Sequence, residues 1–238
     1  MRNKSLKRKD GQFIIIAVLF IATMIISIGG IMYTGVTYYR YEPWEEYLTL
    51  ISNIELSSSR IVEISLSDYT NAISPDSLIL KKNLDQWQKD LTTIYPGYGI
   101  ILNNILEDET GLETLWNTNV SYSVAKANFT MNIESLGLSE YKFMTTELLT
   151  MTILQPSEYP TNSINVTVTR EDDIPVFNLK KENFQIIGGP TIANITSQYD
   201  PAYSLVYTIN CNENISSPLT LSVCDHRGIT VEGTRVIG

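Results

Sequence analysis

The chain has 238 residues, a formal net charge of −9, 18% charged residues and 43% hydrophobic ones. That hydrophobic content excludes a chain disordered by composition, and the acidic balance speaks against nucleic acid as a partner. His226 is the only histidine, so His-rich metal sites are ruled out and a zinc enzyme is not expected.

The first 12 residues are basic, with Arg2, Lys4, Lys7, Arg8 and Lys9, and Phe13 to Tyr33 then run for 21 residues without a charge. At about 1.5 Å per residue such a helix covers about 30 Å, the thickness of a bilayer core. The basic cluster belongs on the cytoplasmic side, which puts everything after Tyr33 outside. The apolar run is too long for a secretory h-region, and no clear small-x-small cleavage site comes after it. An uncleaved anchor is therefore expected in preference to a removed signal.

The segment Lys7-Arg8-Lys9-Asp10-Gly11-Gln12-Phe13-Ile14-Ile15-Ile16 resembles the class III leader of archaeal type IV pilins and pilin-like proteins. It is also similar to uncharacterised archaeal membrane proteins with a basic-Gly-Gln-apolar start. The pilin resemblance implies a peptidase cut between Gly11 and Gln12, leaving the apolar helix at the new N-terminus. Asp10 stands where the family usually has a basic residue. Ile16 stands where many pilins carry a Glu that pairs with a neighbouring subunit's N-terminus, so that carboxylate is missing here.

Beyond the anchor, Trp44, Tyr47, Leu48, Ile51, Ile54, Ile61, Ile64 and Leu66 recur at helical spacing, and Pro43 interrupts the run from the membrane segment. Tyr33, Tyr38, Tyr39, Tyr41 and Trp44, with Arg40 among them, suit the outer membrane interface. This spacing predicts a stalk helix over about 42–69. Ser74-Pro75-Asp76 reads as the start of a second helix with Ser74 as cap, carrying Leu78, Leu80, Leu84, Trp87, Leu91 and Ile94 and ending at Pro96-Gly97. The two helices are expected to pack antiparallel. Ile100 to Leu106 is strand-like, and Glu107-Asp108-Glu109-Thr110-Gly111 is an acidic turn. Alternation from Val120 and β-branched residues from Lys142 to Leu154, around a turn at 135–139, predict a hairpin against the helices.

Pro156 to Asn162 reads as a linker, with two prolines and no apolar period. Strand-like runs come next at Ile164–Thr169, Phe184–Ile187, Thr191–Thr196, Tyr203–Cys211, Leu219–Cys224 and Ile229–Ile237, a spacing that predicts a β-sandwich. Asp173-Ile174-Pro175, Leu179 to Phe184, Tyr203 to Tyr207 and Val223-Cys224-Asp225-His226-Arg227-Gly228 resemble the layout of immunoglobulin-like repeats in bacterial and archaeal surface proteins. That resemblance implies a binding or spacer domain without catalytic residues.

The expected fold class is thus α+β, with a leader at 1–12, a transmembrane helix at 13–33, a helical stalk and α+β module at 34–155, a linker at 156–162 and an Ig-like sandwich at 163–238.

Five acceptor triplets for N-glycosylation, at Asn119, Asn128, Asn165, Asn194 and Asn214, lie on the predicted outer side, and a sixth at Asn3 lies on the cytoplasmic side. A chain rich in Asn, Ser and Thr also makes such triplets by composition alone. Cys211 and Cys224 end two strand-like runs, and a disulfide is expected outside the cell, against two free thiols. The Asp225-His226 pair lacks any nucleophile motif beside it, and Glu171-Asp172-Asp173 reads as a solvated turn in preference to a calcium loop. No catalytic residue, metal site or cofactor is expected. The sequence points to a non-catalytic, membrane-anchored surface protein, pilin-like and working by contact, whose partners are the lipid bilayer and other pilin-like subunits or surface proteins. The rivals are a monomeric uncleaved receptor or envelope-attachment protein and, from another class, a membrane-tethered hydrolase.

Overall fold

A computed structural model of the chain describes residues 6–39, 44–156, 161–202 and 204–237, with side chains at 15–33, 47–156, 161–202 and 205–237. The expected leader residues 1–5, the interface residues Arg40, Tyr41 and Pro43, the linker core 157–160, the expected strand start Tyr203 and the terminal Gly238 lie outside the described residues, as do the side chains of Gln12, Tyr38, Tyr39 and Trp44. The chain divides inside its second helix into two compact units, residues 1–50 and 51–238.

In the first unit, α1 (Leu6–Tyr39) contains the apolar run. Ile15–Tyr33 has a mean hydropathy of 2.6, and every side chain in it is exposed. A helix apolar on all sides and covered on none has the length and composition to cross a membrane, and a signal sequence has the same properties.

The second unit combines α-helices with antiparallel sheets. α2 (Trp44–Asn71) buries Ile54, Ser58, Val62, Ser65 and Leu66, which fall on one side of the helix, so the expected stalk is a packed helix along this stretch. α3 (Ile79–Ile94) buries Leu80, Leu84 and Leu91. The expected antiparallel pairing is present: Asn83 Nδ2 donates to Ser65 Oγ at 2.9 Å, and one turn later Trp87 Nε1 donates to Ser58 Oγ at 3.2 Å. Ser74 is not the cap. The N-cap position is Leu78, without a side-chain cap bond, and the turn before it is held by Asp76, its carboxylate accepting from the Leu78 N–H at 3.0 Å and its carbonyl from the Ile79 N–H at 3.0 Å.

Ten strands complete the described part of the unit. β1 (Ile100–Leu106), β2 (Leu112–Leu115), β3 (Val120–Ile133) and β4 (Leu138–Ile153) begin a seven-stranded sheet, continued by β5 (Ser163–Arg170), β7 (Ile192–Asp200) and β8 (Ser204–Cys211). Its order is β1-β3-β4-β5-β8-β7, with β2 also on β3. β6 (Phe184–Ile186), β9 (Leu219–Cys224) and β10 (Thr230–Arg235) form a second sheet in the order β10-β9-β6.

The predicted hairpin is β3–β4, and β2 is an addition that its short run of Leu and polar residues does not announce. The larger difference lies at the expected boundary. Leu149 to Ile153 of β4 pair with Arg170 to Val166 of β5, so the strands on either side of residues 156–162 share one sheet. The backbone continues the tie at Leu154, whose N–H donates to the Asn165 carbonyl at 2.8 Å. The physical reason is parity: Met151 and Ile153 face the same core as Val168 and Val166, and one buried layer serves both stretches.

The second sheet closes over that layer. An added Cβ at Gly233 of β10 would stand 2.7 Å from Met151 Cε, and the Phe184 ring of β6 lies 5.6 Å from that of Tyr207 on β8. α2 covers the neighbouring part of the same face, where Tyr141 Oη donates to Glu55 Oε1 at 2.7 Å and Ser59 Oγ to Glu147 Oε1 at 2.8 Å.

Candidate functional site

The polar residues that the fold gathers most tightly centre on Arg227, in the turn between β9 and β10. Its Nε donates to Asp225 Oδ2 at 2.7 Å, its Nη1 to Glu147 Oε2 at 2.9 Å and to Glu171 Oε1 at 2.7 Å, and its Nη2 to the Leu148 carbonyl at 2.9 Å. The Arg227 side chain is 8% exposed, and those of Asp225, Glu147 and Glu171 are 1%, 10% and 27% exposed. The three carboxylates come from the β9–β10 turn, β4 and the 3-10 turn Glu171–Asp173, so one guanidinium fork ties three separate segments.

The acids are further occupied. Asp225 Oδ1 accepts from the backbone N–H groups of Arg227 and Ile229, and Glu171 Oε1 from the Leu148 N–H at 2.5 Å. Three carboxylates against one guanidinium leave a formal excess of two negative charges. Burial pushes the Glu147 carboxyl up, and Glu171 and Glu63 push the same way; the Ser59 hydroxyl and Arg227 oppose. For Glu171, burial also pushes up, but the bonds from Arg227 and from the Leu148 N–H outweigh it and hold the carboxyl below its ordinary value. Burial acts to lower the Arg227 pKa, but Glu171 and Asp225 more than reverse it, and the guanidinium stays charged. Glu147 and Glu171, on the same guanidinium, are thus shifted in opposite directions. The cluster uses its donors and acceptors on one another and acts as a tie.

A second set of bonds holds the same turn to α2. Ser67 Oγ and Asn71 Nδ2 donate to the Gly228 carbonyl at 3.0 and 2.6 Å, and the Thr230 N–H donates to Thr70 Oγ1 at 3.1 Å. Gly228 sits at φ +83°, and a Cβ there would lie 2.6 Å from Ser67 Oγ, so both conformation and space call for glycine.

The residues singled out in the sequence are dispersed. His226 is exposed while Asp225 turns inward to Arg227, so the turn splits that pair. Of the acidic triplet, Glu171 is engaged by Arg227, and Asp172 and Asp173 are exposed. Glu107 of the other acidic turn lies 3.7 Å from Lys126 Nζ at the surface. Gly11 and Gln12 both fall within α1.

Cys211 and Cys224 are free thiols, which corrects the expected disulfide. On β9, Leu219, Leu221 and Val223 face the core, and Cys224 has the opposite parity. Cys211 is buried on β8 with Ile209 and Tyr207, where burial pushes its thiol up. The two sulfurs thus belong to different faces of different sheets. The five acceptor asparagines after the apolar run, Asn119, Asn128, Asn165, Asn194 and Asn214, are exposed.

An open groove of about 300 Å³ between α2 and α3 is lined by Ile61, Ile64, Asp68, Asn83, Trp87 and Asp90 among others. It brings two carboxylates near an indole. Among the described residues, no group of three His, Cys, Asp or Glu side chains is arranged to hold a metal ion.

The sequence reading missed Arg227 and Glu147. A usable signal was present: Glu147 is a lone charge at the inward parity of a strand whose next inward residues are Leu149, Met151 and Ile153, and such a position demands a buried partner. Comparisons with protein-family models, curated proteins and solved structures found no match to this chain.

Proposed function

We propose that this chain is a non-catalytic, membrane-anchored surface protein whose second unit stands outside the cell and works by contact, as a pilin-like component. The observation that carries this reading is Ile15–Tyr33, uncharged, strongly hydrophobic and wholly exposed, attached to a unit that buries a core of its own. The basic residues before the apolar run support an outward orientation for the residues after it. The leader-like segment around Gly11 and Gln12 supports pilin-type processing.

The strand order supports an Ig-like character for the C-terminal half. The run β4-β5-β8-β7 in one sheet and β6-β9-β10 in the other has the arrangement of the ABED and CFG sheets of a constant-type immunoglobulin domain. On this reading the first strand is the end of β4, before residue 156, and the sandwich begins earlier than residue 163.

The test is the N-terminal residue of the protein isolated from native membranes, together with the protease accessibility of residues 51–238 in intact cells. Gln12 and an accessible second unit are expected. Met1 or Arg2 with an accessible unit would replace the pilin-like reading with an uncleaved receptor or attachment protein. An inaccessible unit would overturn the orientation.

A further inference from the structure

One face of the seven-stranded sheet carries the helices and the second sheet; on the other, the open one, the described strand residues are exposed or half-buried apart from Val124 and Val206. On the open face Asn128 of β3 lies directly opposite Ile105 of β1 on one side and Met144 of β4 on the other. Ile105 is 67% exposed and Met144 65%. Two large apolar side chains therefore flank an acceptor asparagine in a row across three strands.

The face continues across the sheet. Val120, an even number of residues from Asn128, is opposite Thr152; Thr152 is opposite Thr167; and Thr167 shares its face with Asn165, which is opposite Thr208, itself opposite Thr196 of β7. Residues two apart in a strand share a face. Each of the triplets Asn128-Phe129-Thr130, Asn165-Val166-Thr167 and Asn194-Ile195-Thr196 thus presents its amide and its hydroxyl together on this side. Asn165 Oδ1 accepts from Thr208 Oγ1 at 2.9 Å, which engages the amide oxygen and not the nitrogen that takes a sugar.

We propose that Asn128 carries an N-linked glycan lying over Ile105 and Met144, and that the open face is a carbohydrate-bearing face with Asn165 and Asn194 as its further acceptors. The inference rests on the outward orientation proposed above. The donor class is an oligosaccharide activated on a lipid phosphate. The Asn128 Nδ2–C1 bond forms as the bond from C1 to the phosphate oxygen breaks; its electron pair leaves with the lipid phosphate, and the amide nitrogen gives up one proton to the transferase's base.

The full chain isolated from native membranes tests this. Trypsin releases Asn128 on the peptide 127–142, between Lys126 and Lys142. The expected result is a mass increment of at least one sugar residue on that peptide, lost in Asn128→Gln and again in Thr130→Ala, which keeps the asparagine. Protease accessibility of residues 51–238 in intact cells is read in parallel. An unmodified 127–142 peptide on an accessible unit overturns the glycan and leaves the proposed orientation standing. An unmodified peptide on an inaccessible unit overturns both.

Discussion

Arg227 Nη1 lies 2.9 Å from Glu147 Oε2, joining the β9–β10 turn to the middle of β4 across 80 residues. Both side chains are about nine-tenths buried, and Asp225 and Glu171 converge on the same guanidinium. A buried pair is weak evidence of net stabilisation, but removing one member is costly because the others stay buried and unpaired. Arg227→Ala is expected to lose about 3–5 kcal/mol in urea unfolding at pH 7. Without the cation Glu147 and Glu171 lose an influence that lowers their pKa, so the deficit should narrow at pH 4. A loss below about 1 kcal/mol, or one independent of pH, would show that solvent reaches the cluster.

The two glutamates at Arg227 predict opposite pH dependences. Glu147 is raised in the folded state, chiefly by burial, so its contribution is complete below the ordinary carboxyl value and is lost as pH rises through the folded one. Against Glu147→Gln, the native chain should therefore do relatively worse at pH 7 than at pH 4.5. Glu171 is lowered, its burial outweighed by Arg227 and the Leu148 N–H, so its contribution is present above the ordinary value and lost in acid. The cost of Glu171→Gln should be largest at pH 7 and shrink as pH falls below about 4. Urea titrations at both pH values check this, and parallel pH profiles for the two variants would refute the assignment.

Periodicity located most elements of this fold. β9 is found at Leu219–Cys224 as expected, and α2, β1 and the β3–β4 hairpin lie within a few residues of their expected limits. What it could not give is which strands meet. The prolines at 156 and 160 mark a connection, and a connection between antiparallel neighbours looks the same in sequence as a linker between domains. The cysteines show the same limit: their spacing permits a bridge, and only strand parity sets Cys224 on the face opposite Val223. Ser74 is a good cap by type, yet the helix starts four residues later at Leu78, after a turn in which the Asp76 carboxylate accepts from the Leu78 N–H.

Gly233 tests how closely the sheets approach. Besides Met151 Cε at 2.7 Å, an added Cβ would meet the Thr118 carbonyl at 3.1 Å and Ile153 Cδ1 at 3.3 Å. Two of those neighbours are core side chains and one is backbone, so no single rotamer change relieves the crowding. Gly233→Val should cost about 1–3 kcal/mol by overpacking, read as a lower urea midpoint with the slope unchanged. A neutral substitution would mean that β10 lies farther from β4.

The thiols give a chemical test. With Cys211 and Cys224 both free, denaturation without reductant in the presence of an alkylating agent should add two adducts by intact mass. The melting temperature should be the same with and without reductant. A bridge would give no adducts and would contribute on the order of 3 kcal/mol, lost on reduction.

Tyr207 anchors the loop between β5 and β6 from beneath. Its hydroxyl donates to the Val176 carbonyl at 2.6 Å and accepts from the Leu179 N–H at 3.3 Å, with the ring 1% exposed and packed on Phe184. The segment 174–180 has one bridge of its own, Pro175 to Thr169, and Val176 and Leu179 are both buried. A buried backbone group that loses its partner costs more than the bond's net worth, because water cannot replace it. Tyr207→Phe keeps the ring and removes only the hydroxyl, so its expected cost of about 1–3 kcal/mol isolates those two bonds. Amide exchange gives the local reading: the Leu179 N–H should lose protection in the variant while Leu221 and Val223 of β9 keep theirs. Equal loss at all three would mean that the hydroxyl supports both sheets, and no loss at Leu179 would mean that another group satisfies its N–H.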